Sequence, residues 1–383
     1  MKFVASMDWK MTRRAARALG ALMVCFIAFV LPARAQTDFA AGTFQGIIQS
    51  DSDNDESFGF ITIVLTRSGA FSMRFNLGVN SVGHHSYAMS GRFDANGAYH
   101  FEGPPITDTR YAIARVIDLQ LDSVQSTTSI HGTLTDLTHS SVIDLERVVV
   151  HGLSNPAAEA GLYTALFSSG DAGVPSSSGF ALVGVGRSGL ISAGGRAPDG
   201  RPFTDAAWLT VSGRWPVFAK MAGVTNGILS GWLTFRDQAD SDFSGPLVWL
   251  GPEVHGPNHA FVPSFSGTVN VAGSRYTVPH AAALLQVSSS SNNLHMNLSG
   301  DGLTTAIDRD LTLTAGNRFI FSPRQAGDSL AVNPLNGIFA GTFMHPDNHV
   351  SVFRGAFLQK QNRGAGVFVE RDGSSGNVDL RPQ

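Results

Sequence analysis

The alternation of apolar and polar positions predicts a protein built from β-hairpins. In the stretch FITIVLTRSGAFSMRFNLG (60–78), two apolar runs flank Arg67-Ser68-Gly69. The second run has apolar side chains at every other position, namely Phe71, Met73, Phe75 and Leu77. A period of two is typical of a strand with one buried face, and a short glycine-containing segment between two such runs is typical of a hairpin turn.

The same hairpin recurs later in the chain. Residues 180–195 read FALVGVGRSGLISAGG, with the RSG turn at Arg187-Ser188-Gly189. Upstream of the two turns, AGTF (41–44) matches AGLY (160–163). A spacing of roughly 120 residues is too long for a solenoid repeat and indicates a duplicated β-unit. A third, more degenerate start is NGIFAGTF at 336–343.

Glycines also lie inside the predicted strands, as at Gly231 and Gly355. Such glycines let an antiparallel strand coil while a large aromatic side chain covers the bend. We therefore predict an all-β fold with two antiparallel barrel-like or sandwich domains from a duplicated β-unit. The predicted boundaries are 37–152 for the first domain, 154–157 for the linker, and 160–383 for a larger second domain closed by segment 334–383.

A series of motifs in the second half resembles a known kind of sequence. The motifs are SGRWPVF (212–218), GILSGWLTF (227–235), SGPLVW (244–249) and NGIFAGTF (336–343). Together they resemble the uncharacterised glycine- and aromatic-rich β-repeat regions of large exported bacterial proteins, over roughly residue 161 to the C-terminus. The resemblance implies export and an all-β fold, and it implies no catalytic residues.

Composition supports this class and excludes others. Charged residues make up 15% of the chain, below the usual quarter, and 42 glycines and 26 phenylalanines accompany 43% apolar residues. A helical protein would need more charged residues on solvated faces, and a disordered one would have less apolar surface. The formal net charge of −3 and the lack of a basic stripe argue against a nucleic-acid partner.

The N-terminus has the pattern of an export signal. A basic region is followed by the apolar run ALGALMVCFIAFVL (18–31) and by Pro32-Ala33-Arg34-Ala35, an A-x-A site. We predict a signal peptide over residues 1–35, with Met11 as an alternative start, and export to the periplasm, the cell surface or the medium. The only cysteine, Cys25, lies within this segment. The mature chain is therefore expected to contain neither disulfides nor cysteine metal sites.

After the signal no apolar run is long enough for a membrane-spanning helix, so we predict a chain that does not span the membrane after cleavage. A transmembrane β-barrel is an alternative, because alternating strands are also typical of that class. The short, irregularly spaced strands and the ending DLRPQ (379–383), which has no aromatic residue, argue against it.

Two acidic segments are candidate calcium sites. Asp51, Asp53 and Asp55 alternate as at the start of a calcium loop, but Glu56 occupies the position that requires glycine. The alternative is a solvated hairpin tip whose charge discourages edge-to-edge association. A second acidic turn (237–242) has the same two interpretations.

Histidines and one serine motif are weaker candidates. Three histidine pairs supply two ligands each, whereas a zinc site needs three or four, so exposed loop histidines are the interpretation we favour. The pairs are His84/His85, His255/His259 and His345/His349. Gly327-Asp328-Ser329-Leu330 spells the nucleophile block of GDSL hydrolases, but no D-x-x-H follows it, and we interpret it as a turn.

Trp215 is the candidate ligand contact. It precedes Pro216 in a turn-like stretch, where an exposed indole could stack on a sugar ring, although packing over a barrel end is the interpretation we favour. Trp232 and Trp249 lie in alternating strands and are expected in the core.

The sequence thus favours a non-enzymatic exported β-protein with a structural or interaction role at the cell envelope, where an envelope component or a glycan would be its partner. A carbohydrate- or small-ligand-binding module is the alternative, and a hydrolase with a loop-built site is a third hypothesis. A buried, mutually hydrogen-bonded Ser/His/Asp set or carboxylate pair in a deep cleft would overturn the first hypothesis. A packed barrel interior would favour a scaffold, whereas an open, polar lumen would favour ligand binding.

Overall fold

Every regular element of the described chain is a β-strand, which confirms the all-β prediction. In the computed structural model, Phe39–Gln383 form one unit, and the predicted signal peptide lies outside the described residues. Among the described residues there is no helix of the length and apolarity needed to cross a bilayer. The structure describes residues 38–50, 58–78, 85–108, 111–135, 140–222, 227–251, 254–256, 259–262, 264–280, 283–300, 303–371 and 373–383.

The first eight strands form an antiparallel sheet, here called the first sheet, in the order β4-β3-β2-β1-β8-β7-β6-β5. Consecutive strands are neighbours except β4 and β5, which form the two edges, and β1 pairs with β8 in the middle; an apolar core lies against the sheet. Its strands are β1 (Gly42–Ser50), β2 (Gly59–Leu65), β3 (Ala70–Leu77), β4 (His85–Arg92), β5 (Ala98–Asp108), β6 (Tyr111–Leu121), β7 (Ser129–Thr135) and β8 (Ser140–Arg147).

The next eight-stranded unit is a closed barrel, because its last strand pairs with its first. A separate two-stranded hairpin, β16 (Val254–Gly256) and β17 (His259–Val262), is inserted before the closing strand. The barrel strands are β9 (Gly161–Ser168), β10 (Gly179–Val185), β11 (Leu190–Arg196), β12 (Pro202–Trp208), β13 (Arg214–Met221), β14 (Ile228–Phe235), β15 (Phe243–Gly251) and β18 (Phe265–Arg275).

The remaining strands form the third sheet, in the order β21-β20-β19-β26-β25-β24-β23-β22. They are β19 (Leu294–Gly300), β20 (Ile307–Leu313), β21 (Phe319–Phe321), β22 (Ser329–Val332), β23 (Ile338–Met344), β24 (Val350–Leu358), β25 (Arg363–Val369) and β26 (Ser375–Pro382).

The third sheet corrects the predicted role of segment 334–383. Its strands pair with one another and, through β26, with β19 rather than with the barrel. The reason is that β18 already pairs with β9, so the barrel has no strand edge left to accept another partner. The stretch 160–383 therefore contains two eight-stranded units where the sequence analysis placed one.

The duplicated hairpin has the same geometry in both copies. Leu65 pairs with Phe71 in the first sheet, and Val185 pairs with Ile191 in the barrel. Gly69 and Gly189 close the two turns with φ of +80° and +87°, a conformation that glycine adopts at no steric cost. The RSG segment is therefore a turn in both units, as predicted.

In the curved sheets, large aromatic rings occupy the space that a side chain would take at neighbouring glycines. A Cβ at Gly273 would lie 2.2 Å from ring atoms of Phe243, and one at Gly376 would lie 2.0 Å from the ring of Phe368. In the barrel, Trp249, Tyr163 and Phe243 are almost fully buried in one core cluster. The barrel interior is therefore a packed core, the arrangement that the sequence analysis associated with a scaffold.

In both the first sheet and the barrel, an arginine at the end of the last strand contacts the beginning of the first strand. Arg147, at the end of β8, donates to the carbonyl groups of Ala41 and Ala40 at 2.8 and 2.7 Å, and its guanidinium lies over the ring of Phe44. Arg275, at the end of β18, contacts Ala160 and the Tyr163 ring in the same way. The duplication therefore includes a long-range contact in addition to the local hairpin.

The barrel contacts both neighbouring units. Against the first sheet, Arg214 forms an ion pair with Glu146 at 2.6 Å, and the Trp208 amide donates to the Gln45 side chain. Against the third sheet, the Thr164 hydroxyl donates to the Phe357 carbonyl at 2.7 Å beside a buried apolar cluster. Both faces are therefore fixed by directional contacts as well as by apolar packing.

Candidate functional site

A cleft of about 360 Å³ lies where the end of β11 meets the outer face of β24 and β25. Because outward-facing positions of β24 alternate with core positions, Val350, Val352 and Arg354 all face this side. We call this site the arginine cleft. Its lining residues are Arg196, His349, Val350, Ser351, Val352, Arg354, Val367, Val369 and Arg371.

The arginine cleft concentrates positive charge. Arg196 donates to the Gly200 carbonyl at 2.6 Å, and burial together with the nearby charge of Arg354 lowers its pKa. Within the described part of the chain, the cleft arginines form no ion pair with a carboxylate. The arginines that do so are Arg201, Arg214, Arg309, Arg363 and Arg381.

Apolar surface lies beside this charge. Val350, Val352 and Val369 are 52, 51 and 42% exposed, which is unusual for large apolar side chains of a folded protein when they are grouped together. The cleft therefore presents guanidinium groups and aliphatic groups to the same solvent space. Such a surface suits a ligand that has both an anionic group and an apolar face.

A larger groove, of about 540 Å³, crosses the outer face of the first sheet, but several of its polar side chains already have partners in the protein. His100 contacts Asp118 at 2.7 Å, and His131 contacts Asp144 at 3.2 Å. Arg92 donates to the Ser68 carbonyl. Because these side chains already have partners, this groove is the weaker candidate.

A serine, a histidine and a glutamate meet at the edge of the arginine cleft. The Ser351 hydroxyl and a Glu370 carboxylate oxygen each lie 3.1 Å from Nε2 of His349. In a catalytic triad the acid contacts one ring nitrogen and the nucleophile contacts the other, so that the ring can transfer a proton between them. Here both contact the same nitrogen, and this arrangement is not that of a hydrolase triad.

Trp215 lies inside the barrel and is 2% exposed. Its indole Nε1 donates to Asp205 at 2.9 Å, and its ring lies 6.0 Å from that of Phe243. This corrects the expectation of a surface sugar contact. The stretch before Pro216 is strand β13, and Trp215 occupies one of its inward positions.

The ladder between β12 and β13 stops beside Asp205. The two strands pair at Phe203–Met221 and Thr204–Lys220, and beyond that point the Phe218 amide donates to the Asp205 carboxyl group instead. Asp205 is partly exposed, but its carboxyl group faces the core. Burial raises the pKa of Asp205 to about 6, although hydrogen bonds from Trp215 and from backbone amides lower it.

The raised pKa predicts a pH-dependent contribution to stability. Because the folded-state pKa exceeds the ordinary value of 3.8, burial of the charged carboxylate destabilises the fold above about pH 6, and protonation relieves this as pH falls. We expect Asp205→Asn to exceed the wild type by up to about 3 kcal/mol in free energy of unfolding at pH 7.5, since each pKa unit corresponds to about 1.36 kcal/mol. The difference should shrink towards pH 4.5.

Urea denaturation of both proteins at several pH values measures this difference, and the comparison cancels the titration of all other groups. A difference that stays constant between pH 4.5 and 7.5 would show that the Asp205 carboxyl group titrates normally in the folded protein.

The two acidic segments have different outcomes. Asp51, Asp53 and Asp55 lie outside the described residues, so their calcium prediction stays a prediction. The second acidic turn already holds a cation from the protein itself, because Lys360 of the third sheet contacts Asp237 and lies 2.9 Å from Asp242. That turn forms a contact between the barrel and the third sheet. It is therefore neither the calcium site nor the solvated hairpin tip that the sequence suggested.

The histidine prediction is wrong for one pair. His345 is 5% exposed and lies 3.5 Å from Asp347, and its ring stacks on that of His349 at a centroid distance of 4.5 Å. The side chains of the other two pairs lie outside the described residues. In the GDSL segment, Gly327 lies in a turn with a φ of +81°, as interpreted, and Asp328 contacts Arg309 at 2.9 Å, but Ser329 and Leu330 already belong to β22.

No sequence motif marks the arginine cleft. Arg196 ends a barrel strand, while Arg354 and Arg371 belong to the third sheet, and only the packing of the two units brings them together. The one local signal is the VSVFR stretch (350–354), in which two outward valines precede an outward arginine on a strand.

Comparison with the models of known protein families finds no match, and neither does comparison with curated proteins. The solved structures that are distantly similar include the following two. Transferrin binding protein B of Neisseria meningitidis serogroup B is 9% identical, over 87% of this chain and 67% of that one, with a TM-score of 0.20. A DUF3598-family protein of unknown function from Nostoc punctiforme is 8% identical, over 91% and 97% of the two chains, with a TM-score of 0.17. Neither likeness is strong enough to indicate a shared function.

Proposed function

We propose that this chain is an exported, non-enzymatic binding protein of the cell envelope, and that the arginine cleft binds an anionic glycan of that compartment. The observation that carries the proposal is the convergence of Arg196, Arg354 and Arg371 without a described carboxylate partner. The N-terminal signal pattern and the resemblance to β-repeat regions of exported proteins support the compartment.

Grouped arginines without counter-ions repel one another, and folding gains nothing from placing them together. The charge of Arg354 acts on Arg196 strongly enough to help burial lower its pKa. A ligand with carboxylate, phosphate or sulfate groups would remove this repulsion and accept paired hydrogen bonds from the planar guanidinium groups. The cleft is therefore better explained by binding than by stability.

The exposed valines favour a glycan over a simple ion. An ion would need only the guanidinium groups, whereas a sugar ring carries an aliphatic face that can cover Val350 and Val352. The barrel interior is packed, so the outer surface is where this unit can bind a ligand. We therefore assign a scaffold role to the barrel core and the binding role to the cleft.

Titration calorimetry of the chain from Gln36 tests the proposal with three probes: neutral dextran, polygalacturonate and dextran sulfate. We expect both anionic probes to bind, dextran not to bind, and affinity to fall as salt is raised from 50 to 500 mM, because salt screens the guanidinium contacts.

The full sequence has a formal net charge of −3, and the chain from Gln36 is more negative because residues 1–35 are basic, so unspecific attraction to a polyanion is not expected. Binding of neutral dextran with equal affinity, or no anionic binding at 50 mM salt, would contradict the proposal.

A further inference from the structure

The loop between β23 and β24 holds two histidine rings side by side. The His345 amide donates to the His349 carbonyl at 2.8 Å, and the Asn348 amide donates back to the His345 carbonyl at 2.9 Å. Asn348 adopts a φ of +63°, which reverses the chain within these five residues. The loop thereby fixes the two rings in a stack with an interplanar angle of 28°.

Asp347 adds an oxygen donor to the two imidazoles. One ring nitrogen of each histidine and one carboxylate oxygen of Asp347 all lie within 4.8 Å of one another, and Nδ1 of His345 is 3.5 Å from Oδ2 of Asp347. Bonds of about 2.0–2.2 Å to a tetrahedral zinc-sized ion require donors about 3.4 Å apart, so the most distant of these donors must move closer. The Asp347 side chain is 79% exposed and has the freedom to move inward.

A buried carboxylate supports the rings from the other side. Oxygens of Glu370, whose side chain is 5% exposed, lie 3.1 Å from Nε2 of His349 and 3.9 Å from Nε2 of His345. Metal-binding histidines commonly donate their second N–H to such a carboxylate, which fixes the ring orientation and the tautomer.

Nδ1 of His345 faces Asp347. It accepts a hydrogen bond from the Asp347 amide at 3.2 Å and lies 3.5 Å from the Asp347 carboxylate, while Nε2 is on the side of Glu370. A metal ion beside Asp347 would take the place of the amide donor.

We infer that His345, Asp347 and His349 bind one divalent transition-metal ion, with Glu370 as the carboxylate that positions the histidines. Two imidazoles and one carboxylate suit Zn²⁺, Ni²⁺ or Cu²⁺, whereas Ca²⁺ and Mg²⁺ prefer oxygen donors alone. Three protein ligands leave at least one coordination position for water or for a group of a ligand. Since His349 also lines the arginine cleft, the ion would add positive charge at its edge.

The test is titration calorimetry of the full chain with Zn²⁺ alone at pH 7.5, so its outcome does not depend on glycan binding. We expect one site per chain that Ca²⁺ does not compete for. Asp347→Asn and His349→Gln should each weaken binding by more than about tenfold through loss of a ligand. Glu370→Gln should weaken it by about 10–100-fold through loss of the positioning carboxylate.

His295→Gln is the matched control. His295 contacts Asp308 and Asp310 at 3.0 and 3.1 Å on another part of the third sheet, and its replacement should leave the affinity unchanged. Asp347 is on the surface, so Asp347→Asn remains informative even if a buried variant fails to fold. No Zn²⁺ binding by the wild type, or binding that His295→Gln weakens and Asp347→Asn does not, would overturn the inference.

Discussion

Replacing Gly273 by alanine is expected to destabilise the protein by about 3 kcal/mol, although the change adds a single methyl group. The new Cβ would lie 2.2 Å from ring atoms of Phe243, far inside van der Waals contact. Phe243 is fully buried, and its ring contacts those of Tyr163, Trp215 and Phe235 at centroid distances of 5.8, 6.0 and 5.0 Å. Overpacking of such a core costs about 1–3 kcal/mol, and here the ring has no free space to enter.

Urea denaturation followed by tryptophan fluorescence measures the loss, because Trp215 and Trp249 both lie in this core. Gly170→Ala is the matched control, since no atom lies within 4 Å of a Cβ built at Gly170. That variant should be neutral or slightly stabilised, because alanine restricts the unfolded chain. Equal stability of the two variants would show that the Gly273–Phe243 contact does not determine the barrel core.

The double variant Arg354→Gln/Arg371→Gln is expected to lose at least about a hundredfold in affinity for polygalacturonate. A hydrogen bond to a charged group contributes about 1.5–3 kcal/mol, and each arginine offers at least one to the ligand. We also expect the stability of the free protein to stay equal or to rise slightly, because repulsion within the cleft decreases. Arg196 is kept in this variant because it also binds the Gly200 carbonyl.

Arg318→Gln/Arg324→Gln is the control for this variant. Both residues are exposed and lie in turns of the third sheet, away from the residues that line the cleft. The control removes the same net charge and should bind polygalacturonate as the wild type does. An equal loss of affinity in the control would mean that overall charge, and not the cleft, determines binding.

Local patterns predicted the strands and turns well, because their physical cause is local. The period-two alternation from Phe71 to Leu77 matches the buried positions of β3, and the RSG turns need only the positive φ of Gly69 and Gly189. The pairing of glycine with aromatic residues was also predictable, since a coiled strand must place a large side chain over each glycine to fill the space where a side chain is missing.

Partner choice between distant strands was not predictable in this way. The sequence showed the repeat starting at 336 but did not show which sheet it joins. That sheet is separate from the barrel, because β26 pairs with β19 and the barrel closes through its own strands. Trp215 was considered a surface residue because Pro216 resembled a turn residue, whereas Pro216 lies within β13 and pairs with Trp232 in the barrel wall. The arginine cleft depends on the docking of two units, and the histidine loop depends on Glu370, which follows the end of β25.

The central claim is that the cleft arginines serve ligand binding, and thermal melting with and without polygalacturonate tests it most directly. A ligand that binds the folded state raises the melting temperature. The account predicts that polygalacturonate raises the melting temperature of the wild type. Without ligand, Arg354→Gln/Arg371→Gln should melt at or above the temperature of the wild type, and polygalacturonate should not raise its melting temperature. An equal rise in both proteins, or a variant that melts well below the wild type without ligand, would contradict it.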